Sequence, residues 1–159
     1  MEYRIELEST SAKKTIDIGK SLGKHLLPGS IICLTGELGA GKTWFIKGLA
    51  EGLGIKSKEI HSPTFIIIRE HKGRIPLYHI DLYRIGFIDD IRDIGMEEIM
   101  YGNGVTAIEW AERISDVLPD ERIDISLRWI DEKSRQIDIT AFGVKHSKML
   151  KEALVLINE

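Results

Sequence analysis

Eight consecutive residues carry the most recognisable chemistry in this 159-residue chain. They fit the phosphate-binding loop pattern G-x-x-x-x-G-K-[ST] and read Gly36-Glu37-Leu38-Gly39-Ala40-Gly41-Lys42-Thr43. Glycines let the backbone curl so that successive N–H groups point at phosphate oxygens. Lys42 would supply a cation for the β- and γ-phosphates, and the Thr43 hydroxyl could ligate Mg²⁺. Chance alone gives these four fixed positions in roughly 0.6% of chains this long, so the motif predicts nucleotide binding.

Two carboxylates stand where a metal-bound triphosphate needs acidic partners, at the ends of apolar segments. Asp81 follows Tyr78-His79-Ile80, and Glu109 follows Val105-Thr106-Ala107-Ile108. In a parallel sheet such ends meet at the edge where ligands bind. Glu109 is predicted to contact Mg²⁺ directly or through water, and Asp81 to hold a water or orient the attacking one. A solvated acid at a strand end is the alternative for each.

Other residues give weaker signals. Ser62-Pro63-Thr64-Phe65 resembles a switch loop whose hydroxyls contact phosphate or metal, but it is equally an ordinary turn. His79 lies in an apolar segment and is interpreted as a packed core residue. Trp44 and Trp110, directly behind the loop and Glu109, are interpreted the same way.

The elements around the loop are those that the chemistry requires. A continuous apolar run at Ile31–Leu34 predicts a buried strand before it, and helical spacing from Phe45 to Leu53 predicts a helix after it. Alternation at residues 3–7 predicts a half-exposed strand. Hydroxyls at Ser9–Ser11 predict the N-cap of a helix that Pro28-Gly29 closes.

The rest of the chain alternates strands with helices. Predicted strands lie at 65–68 and 77–80 (a candidate hairpin), at 105–108, and at 123–129 and 137–141 (an antiparallel hairpin). Predicted helices lie at 88–99, broken near Gly95, and at 148–157. The order predicts one α/β domain over 1–159, a three-layer P-loop NTPase-like fold. Its sheet is expected to be mixed and mainly parallel, with a C-terminal antiparallel hairpin.

Composition narrows the possible partners and compartment. The chain has 22 Lys and Arg against 25 Asp and Glu, a formal charge of −3 that disfavours gripping nucleic acid by charge alone. Its single cysteine, Cys33, excludes an internal disulfide and a Cys-ligated structural zinc. The N-terminus carries alternating charges instead of an apolar leader, and no apolar run suits a membrane span. We therefore expect a cytoplasmic protein.

Taken together, several segments resemble the TsaE family (also called YjeE), small P-loop ATPases of bacterial tRNA threonylcarbamoyladenosine synthesis. The matching pieces, besides the loop, are Ser62-Pro63-Thr64-Phe65, Tyr78-His79-Ile80-Asp81-Leu82-Tyr83-Arg84 and Ile108-Glu109-Trp110. The resemblance runs from about Ser11 to Gly143. The His-x-Asp-Leu-Tyr-Arg and Ile-Glu-Trp pair at this spacing is its most specific part.

The resemblance implies a role for each matching residue. Lys42 and Thr43 would hold phosphate and Mg²⁺, Glu109 would complete the metal site, Asp81 would be needed for turnover, and Thr64 would lie in a switch-like loop. Ser11 and Arg135 are similar to family nucleotide contacts. One departure is visible, because Trp44 stands where the family usually has a second Thr. A hydroxyl near the α-phosphate is lost, but the backbone N–H of Trp44 remains as a nucleotide contact.

By the same resemblance, this protein does not transfer the carbamoyl group itself. It would bind ATP, hydrolyse it slowly, and reset a two-protein transferase complex of the TsaD and TsaB type. That complex acts on the adenosine beside the tRNA anticodon. Contact with tRNA would come through the complex, in keeping with the mild negative charge.

Three alternatives remain at the level of sequence. A small-molecule or nucleoside kinase would need an Arg-rich lid, whereas the arginines here are scattered (Arg69, Arg74, Arg84, Arg92, Arg113). A GTPase-like switch would need Asn-Lys-x-Asp, but the only asparagines are Asn103 and Asn158. Direct RNA binding through the basic C-terminal segment (Lys145, His146, Lys148, Lys151) is the weakest, because such patches are usually solvated helix faces.

Overall fold

The computed structural model describes residues 1–37, 39–60, 68–83 and 95–157. Within these ranges seven strands form one sheet: β1 Glu2–Ser9, β2 Ile31–Thr35, β3 Ile68–His71, β4 Leu77–Asp81, β5 Val105–Glu109, β6 Arg122–Trp129 and β7 Arg135–Phe142. The helices of these ranges are α1 Ala12–Gly23, α2 Lys42–Gly52, α3 Met96–Met100 and α4 Val144–Ile157. Short 3-10 segments lie at Ser57–Glu59 and Ala111–Val117.

The sheet is parallel in its centre and antiparallel at both edges. Its strand order is β1-β7-β6-β2-β5-β4-β3, and the four strands β6, β2, β5 and β4 run parallel. The C-terminal hairpin β6–β7 continues into β1, and β3 pairs antiparallel with β4. The predicted fold class is confirmed. As a result, the C-terminal ends of β2, β5 and β4 lie side by side, and together they form one edge of the sheet, the edge at which the parallel strands end.

Each face of the sheet is covered by its own apolar cluster. Ile32 and Leu34 of β2 pack with α1, α2 and α4, whereas Ile31 and Cys33 point to the face covered by α3 and the Ala111–Val117 segment. Each fully buried Ile or Leu contributes about 1.5–3 kcal/mol relative to exposure. Burial on both sides explains why the β2 sequence is continuously apolar instead of alternating.

Helices α1 and α2 touch through their backbones. Gly19 and Gly23 of α1 face Gly48 and Gly52 of α2, and a Cβ added at Gly48 would lie 2.1 Å from the Ile16 carbonyl oxygen. Only glycine allows two helix axes to approach so closely. The close contact fixes α2, whose first turn ends the phosphate-binding loop, relative to α1.

The predicted cap of α1 is confirmed, but its predicted end is wrong. The Ser11 hydroxyl accepts a hydrogen bond from the Lys14 amide at 3.0 Å. The helix ends at Gly23 and not at Pro28-Gly29, because the amides of His25 and Leu26 bond to carbonyls three residues back and tighten the chain into turns. Leu26 is still fully buried from this turn, which explains why the helical spacing appeared to continue.

The last helix begins at Val144, four residues before the predicted start. Gly143 has a φ of 94° and turns the chain out of β7. His146 is buried, and burial lowers its pKa to about 4, so it is neutral near pH 7. The other basic residues of this segment are exposed, namely Lys145, Lys148 and Lys151. His146 therefore does not belong to a basic surface of this helix.

Several predicted elements fall partly outside the described residues. The β3–β4 hairpin is confirmed, but of the predicted strand 65–68 only Ile68 is described. The helix predicted over 88–99 is described only from Gly95, whose φ of 77° precedes α3. No helix in the described part of the chain is long and apolar enough to cross a membrane.

Candidate functional site

The phosphate-binding loop joins the end of β2 to the start of α2. Three of its glycines have positive φ, 148° at Gly36, 81° at Gly39 and 98° at Gly41, values that L side chains rarely adopt. A Cβ at Gly36 would lie 2.6 Å from the Leu127 carbonyl oxygen, so β6 presses on this turn. Gly41 precedes α2 without a side-chain cap, so no capping side chain occupies the end of the helix at which N–H groups bind anions. Leu38 lies outside the described residues.

Lys42 places its ammonium inside this loop. The residue is 5% exposed, its Nζ donates to the Gly36 carbonyl, and Nζ lies 3.6 Å from the centroid of the Trp110 ring. Burial lowers the pKa of Lys42, and the carboxylates of Glu109, Glu112 and Asp81 oppose that shift. The cation is therefore held among three acids.

The two residues after Lys42 differ in exposure. Thr43 is half-buried in the first turn of α2, whereas Trp44 is 44% exposed. Trp44 is therefore not a core residue, and its predicted backbone contact with a nucleotide stays a prediction.

Glu109 lies at the end of the central strand β5. It is 3% exposed, and its Cα is registered with Leu34 of β2 on one side and with Asp81 of β4 on the other. Its Oε2 lies 2.6 Å from Nε2 of His79, which is fully buried. Apolar packing is therefore not the whole role of His79. The available signal was the two-residue strand period, which places His79 and Asp81 on one face of β4.

Asp81 is half-buried beside Glu109. Its Oδ1 accepts a hydrogen bond from the Tyr83 amide at 2.9 Å. Burial raises the pKa of Asp81 and the Glu109 charge adds to the rise, while the Tyr83 hydrogen bond opposes it. A carboxylate that binds a proton more readily than usual is suited to interact with a water molecule.

An aromatic pair stands across from the loop. Trp110 has a φ of 61°, rare for a bulky residue, and its ring centroid lies 5.1 Å from that of Tyr83. This left-handed turn directs the indole toward Lys42. A cavity of about 640 Å³ opens here, lined by Thr35, Gly36, Glu37, Tyr83, Trp110 and Glu112. Its volume is within the usual range for a small-molecule site.

Arg135 links the C-terminal hairpin to the loop. Its guanidinium donates to the carbonyls of Asp131 at 2.7 Å, Ser134 at 2.9 Å and Gly39 at 3.1 Å. Ser9 is its register partner in β1, so Ser11 lies two residues beyond that pairing. One edge of the sheet thus carries the loop together with Lys42, Asp81, Glu109 and the Arg135 side chain.

Some predicted site residues lie outside the described residues. These are Leu38, the segment Ser62-Pro63-Thr64-Phe65 and Arg84. The proposed role of Thr64 in a switch-like loop therefore stays a prediction, and Arg84 is known only as part of the family-like segment that begins at Tyr78.

The described donors fit a magnesium–nucleotide complex by their chemistry. The Thr43 hydroxyl and the Glu109 carboxylate are hard oxygen ligands of the kind that Mg²⁺ prefers. The described residues contain no group of three or more His, Cys, Asp and Glu side chains placed to hold an ion by themselves. A magnesium ion here would therefore take most of its ligands from phosphate and water, which is usual for this ion.

Comparison with known proteins agrees with this arrangement. Residues 9–137 match the family described as "Threonylcarbamoyl adenosine biosynthesis protein TsaE". The chain is 47% identical to "tRNA threonylcarbamoyladenosine biosynthesis protein TsaE" of Treponema pallidum over 131 residues, 82% of this chain and 96% of that protein. It is 39% identical to the protein of the same name in Bacillus subtilis over 150 residues, 94% of this chain and 93% of that protein.

A solved structure has the same fold. The crystal structure of Bacillus subtilis YdiB superposes with a TM-score of 0.82 at 35% sequence identity, covering 98% of this chain and 97% of that one. With a matching family profile over most of its length, the chain belongs to the TsaE family of tRNA threonylcarbamoyladenosine biosynthesis proteins.

Proposed function

We propose that this TsaE-family protein binds Mg·ATP in the Gly36–Thr43 loop and hydrolyses it slowly. The observation that carries the proposal is the meeting of Lys42, Asp81 and Glu109 at one sheet edge, where all three charges influence one another. A cation for the phosphates (Lys42), a candidate metal ligand (Glu109) and a candidate acid for orienting water (Asp81) therefore lie together beside a cavity of about 640 Å³. A tRNA-modification role supplies the context for such turnover.

Each residue has a distinct task in this proposal. The loop amides and the first turn of α2 bind phosphate oxygens, and Lys42 exchanges its contact with the Gly36 carbonyl for the β- and γ-phosphates. Thr43 and Glu109 would hold Mg²⁺, which neutralises charge on the phosphates when bound. Asp81 orients the attacking water. Arg135 and Ser11 would contact the rest of the nucleotide.

Partner action is the second half of the proposal. ATP binding and hydrolysis would reset a two-protein transferase complex of the TsaD and TsaB type between turnovers, in the cytoplasm. The tRNA would be held by that complex. Two observations support a protein that does not bind tRNA by itself. Its formal charge is −3, and His146 is buried, so it adds nothing to the exposed lysines of α4.

The test is ATP turnover by the purified protein, alone and then with the two partners and tRNA. We expect slow release of phosphate alone, and faster release with modified adenosine accumulating on mixing. Transfer of phosphate to an added nucleoside would instead support a kinase. Turnover indifferent to the partners would contradict the coupling role.

The loop assignment has its own test. Replacing Lys42 with Ala should weaken Mg·ATP binding at least tenfold, because the cation facing the phosphates is lost. The matched control is Lys47→Ala, on the same helix but half-exposed, which should bind as wild type. Calorimetry measures both, and unchanged affinity in Lys42→Ala would contradict the assignment.

A further inference from the structure

We propose that His79 is a positioning residue for the metal-ligand carboxylate of Glu109. The inference rests on the proposed function and extends it to a residue that does not face the cavity. Nε2 of His79 and Oε2 of Glu109 are 2.6 Å apart, and the two side chains are 0% and 4% exposed. Water therefore does not compete for this hydrogen bond.

The chemistry of the pair fixes the direction of the hydrogen bond. An ionised carboxylate only accepts hydrogen bonds, so Nε2 of His79 must carry the hydrogen. Nδ1, whether or not it also carries a hydrogen, is buried without a hydrogen-bond partner in the described part of the chain. The pair is therefore organised around one nitrogen, the one facing Glu109.

This arrangement favours a positioning role over packing alone. Leaving one imidazole nitrogen buried and unpaired is unfavourable by about 1–3 kcal/mol, a penalty that an apolar side chain at the same place would avoid. The contact made in return holds Oε2 of Glu109 and leaves Oε1 as the oxygen for a cation. Partners of this kind orient metal ligands, and their loss typically weakens metal binding 10–100-fold.

Register keeps the pair in place. Asp81 is registered with Glu109, and His79 is registered with Ala107, two residues earlier on the same parallel pair of strands. Ala107 is small, so the imidazole can cross above it and reach the next side chain on that face. His79 thus approaches Glu109 from within the sheet, on the side away from solvent.

The experiment compares two side chains of nearly equal length at position 79. His79→Gln keeps an N–H donor near the position of Nε2, and His79→Met does not. ATP affinity is measured with Mg²⁺ and again with EDTA. The affinity with Mg²⁺ divided by the affinity with EDTA, the magnesium ratio, reports the metal site separately from the phosphate loop. We expect the ratio to fall at least tenfold in His79→Met, to stay within threefold of wild type in His79→Gln, and the EDTA affinity to stay unchanged.

Two outcomes separate this inference from the proposed function. Wild-type protein that binds no Mg·ATP contradicts the proposed function. Wild-type binding with the same magnesium ratio in a folded His79→Met contradicts the positioning role alone.

A measurement on the unmodified chain covers the case in which His79→Met does not fold. Nitrogen-15 NMR of the five histidine rings, with the His79 signals assigned by their loss in His79→Gln, reports the tautomer. We expect a hydrogen on Nε2, in the neutral or in the doubly protonated ring; hydrogen on Nδ1 alone, with Nε2 bare, overturns the proposal.

Discussion

At the scale of single residues, Asp81 shows a conflict between function and stability. Its carboxylate is half-buried beside Glu109, and burial raises its pKa. The charged form of Asp81 is therefore less favourable in the folded protein than in the unfolded chain. The same placement is what brings the carboxylate to the candidate site.

Replacing Asp81 with Asn should abolish most ATP turnover yet raise thermal stability. The amide oxygen can still accept the Tyr83 hydrogen bond, while the unfavourable charge is gone. We expect turnover to fall at least a hundredfold and the melting temperature at pH 7 to rise by about 1–3 °C. Phosphate release and calorimetry measure the two effects. Full turnover would reduce Asp81 to a structural acid.

The stability gain of Asp81→Asn should disappear in acid. Because the folded-state pKa is raised, the native protein binds the proton first as pH falls, and protonated Asp81 no longer carries the penalty. The difference in melting temperature between variant and wild type should thus shrink as pH drops through that raised pKa. A gain that grows in acid would contradict the sign of the shift.

Trp110 provides a second residue-scale prediction, since its φ of 61° is rare for any side chain. Trp110→Gly should be more stable than Trp110→Ala by about 0.5–1 kcal/mol, because glycine adopts this conformation without strain. Glu112 serves as the control, because in the described chain Trp110 alone among non-glycine residues has a positive φ. At position 112, Glu112→Ala should be at least as stable as Glu112→Gly. Denaturant unfolding of both pairs measures the comparison.

At the scale of elements, the contact between α1 and α2 reverses the usual effect of glycine. In a helix interior Gly→Ala normally stabilises by roughly 1 kcal/mol. Gly48→Ala should instead destabilise by about 3 kcal/mol, since its Cβ would lie 2.1 Å from the Ile16 carbonyl oxygen. Gly54→Ala, with open space but a φ of 80°, should lose only about 1 kcal/mol. A stabilised Gly48→Ala would mean that the helices separate easily.

The elements were largely predictable because their signals are local. The apolar run of β2 and the alternation of β6 and β7 depend on neighbours in sequence, and these strands are confirmed, as are the strand before the loop pattern and the helix after it. The end of α1 was not, because Leu26 is buried from a turn and not from a helix. The close contact of glycines in α1 and α2 depends on two helices meeting, which spacing within either one does not reveal.

The candidate site was predictable to a similar extent. Lys42, Asp81 and Glu109 were found from the loop pattern and from strand ends, and the sheet brings them to one edge. The contact between His79 and Glu109 was missed, because it depends on the register of β4 against β5. The exposure of Trp44 was not predictable, because nothing local distinguishes an exposed indole from a packed one.

At the scale of the whole molecule, Arg135 connects the antiparallel edge of the sheet to the loop at its centre. Its three carbonyl acceptors belong to the β6–β7 turn and to Gly39, which is 96 residues away in sequence. This side chain therefore joins the hairpin to the loop by hydrogen bonds. Order in the loop should therefore depend on a residue far from Lys42 in sequence.

Arg135→Ala should loosen the loop without unfolding the protein. Loss of these partly exposed hydrogen bonds should lower the local stability of the loop by about 1 kcal/mol. The reporter is the Ala40 amide, which donates to the Glu37 carbonyl at 3.0 Å. Its hydrogen should exchange with solvent about fivefold faster. Arg128→Ala is the control: Arg128 lies on the same hairpin and contacts only Asp138, at 3.5 Å, among its described ion pairs. Such an exposed pair contributes little, so exchange at Ala40 should not change. Equal acceleration in both variants would place the effect in the hairpin as a whole and not in the Arg135–Gly39 contact.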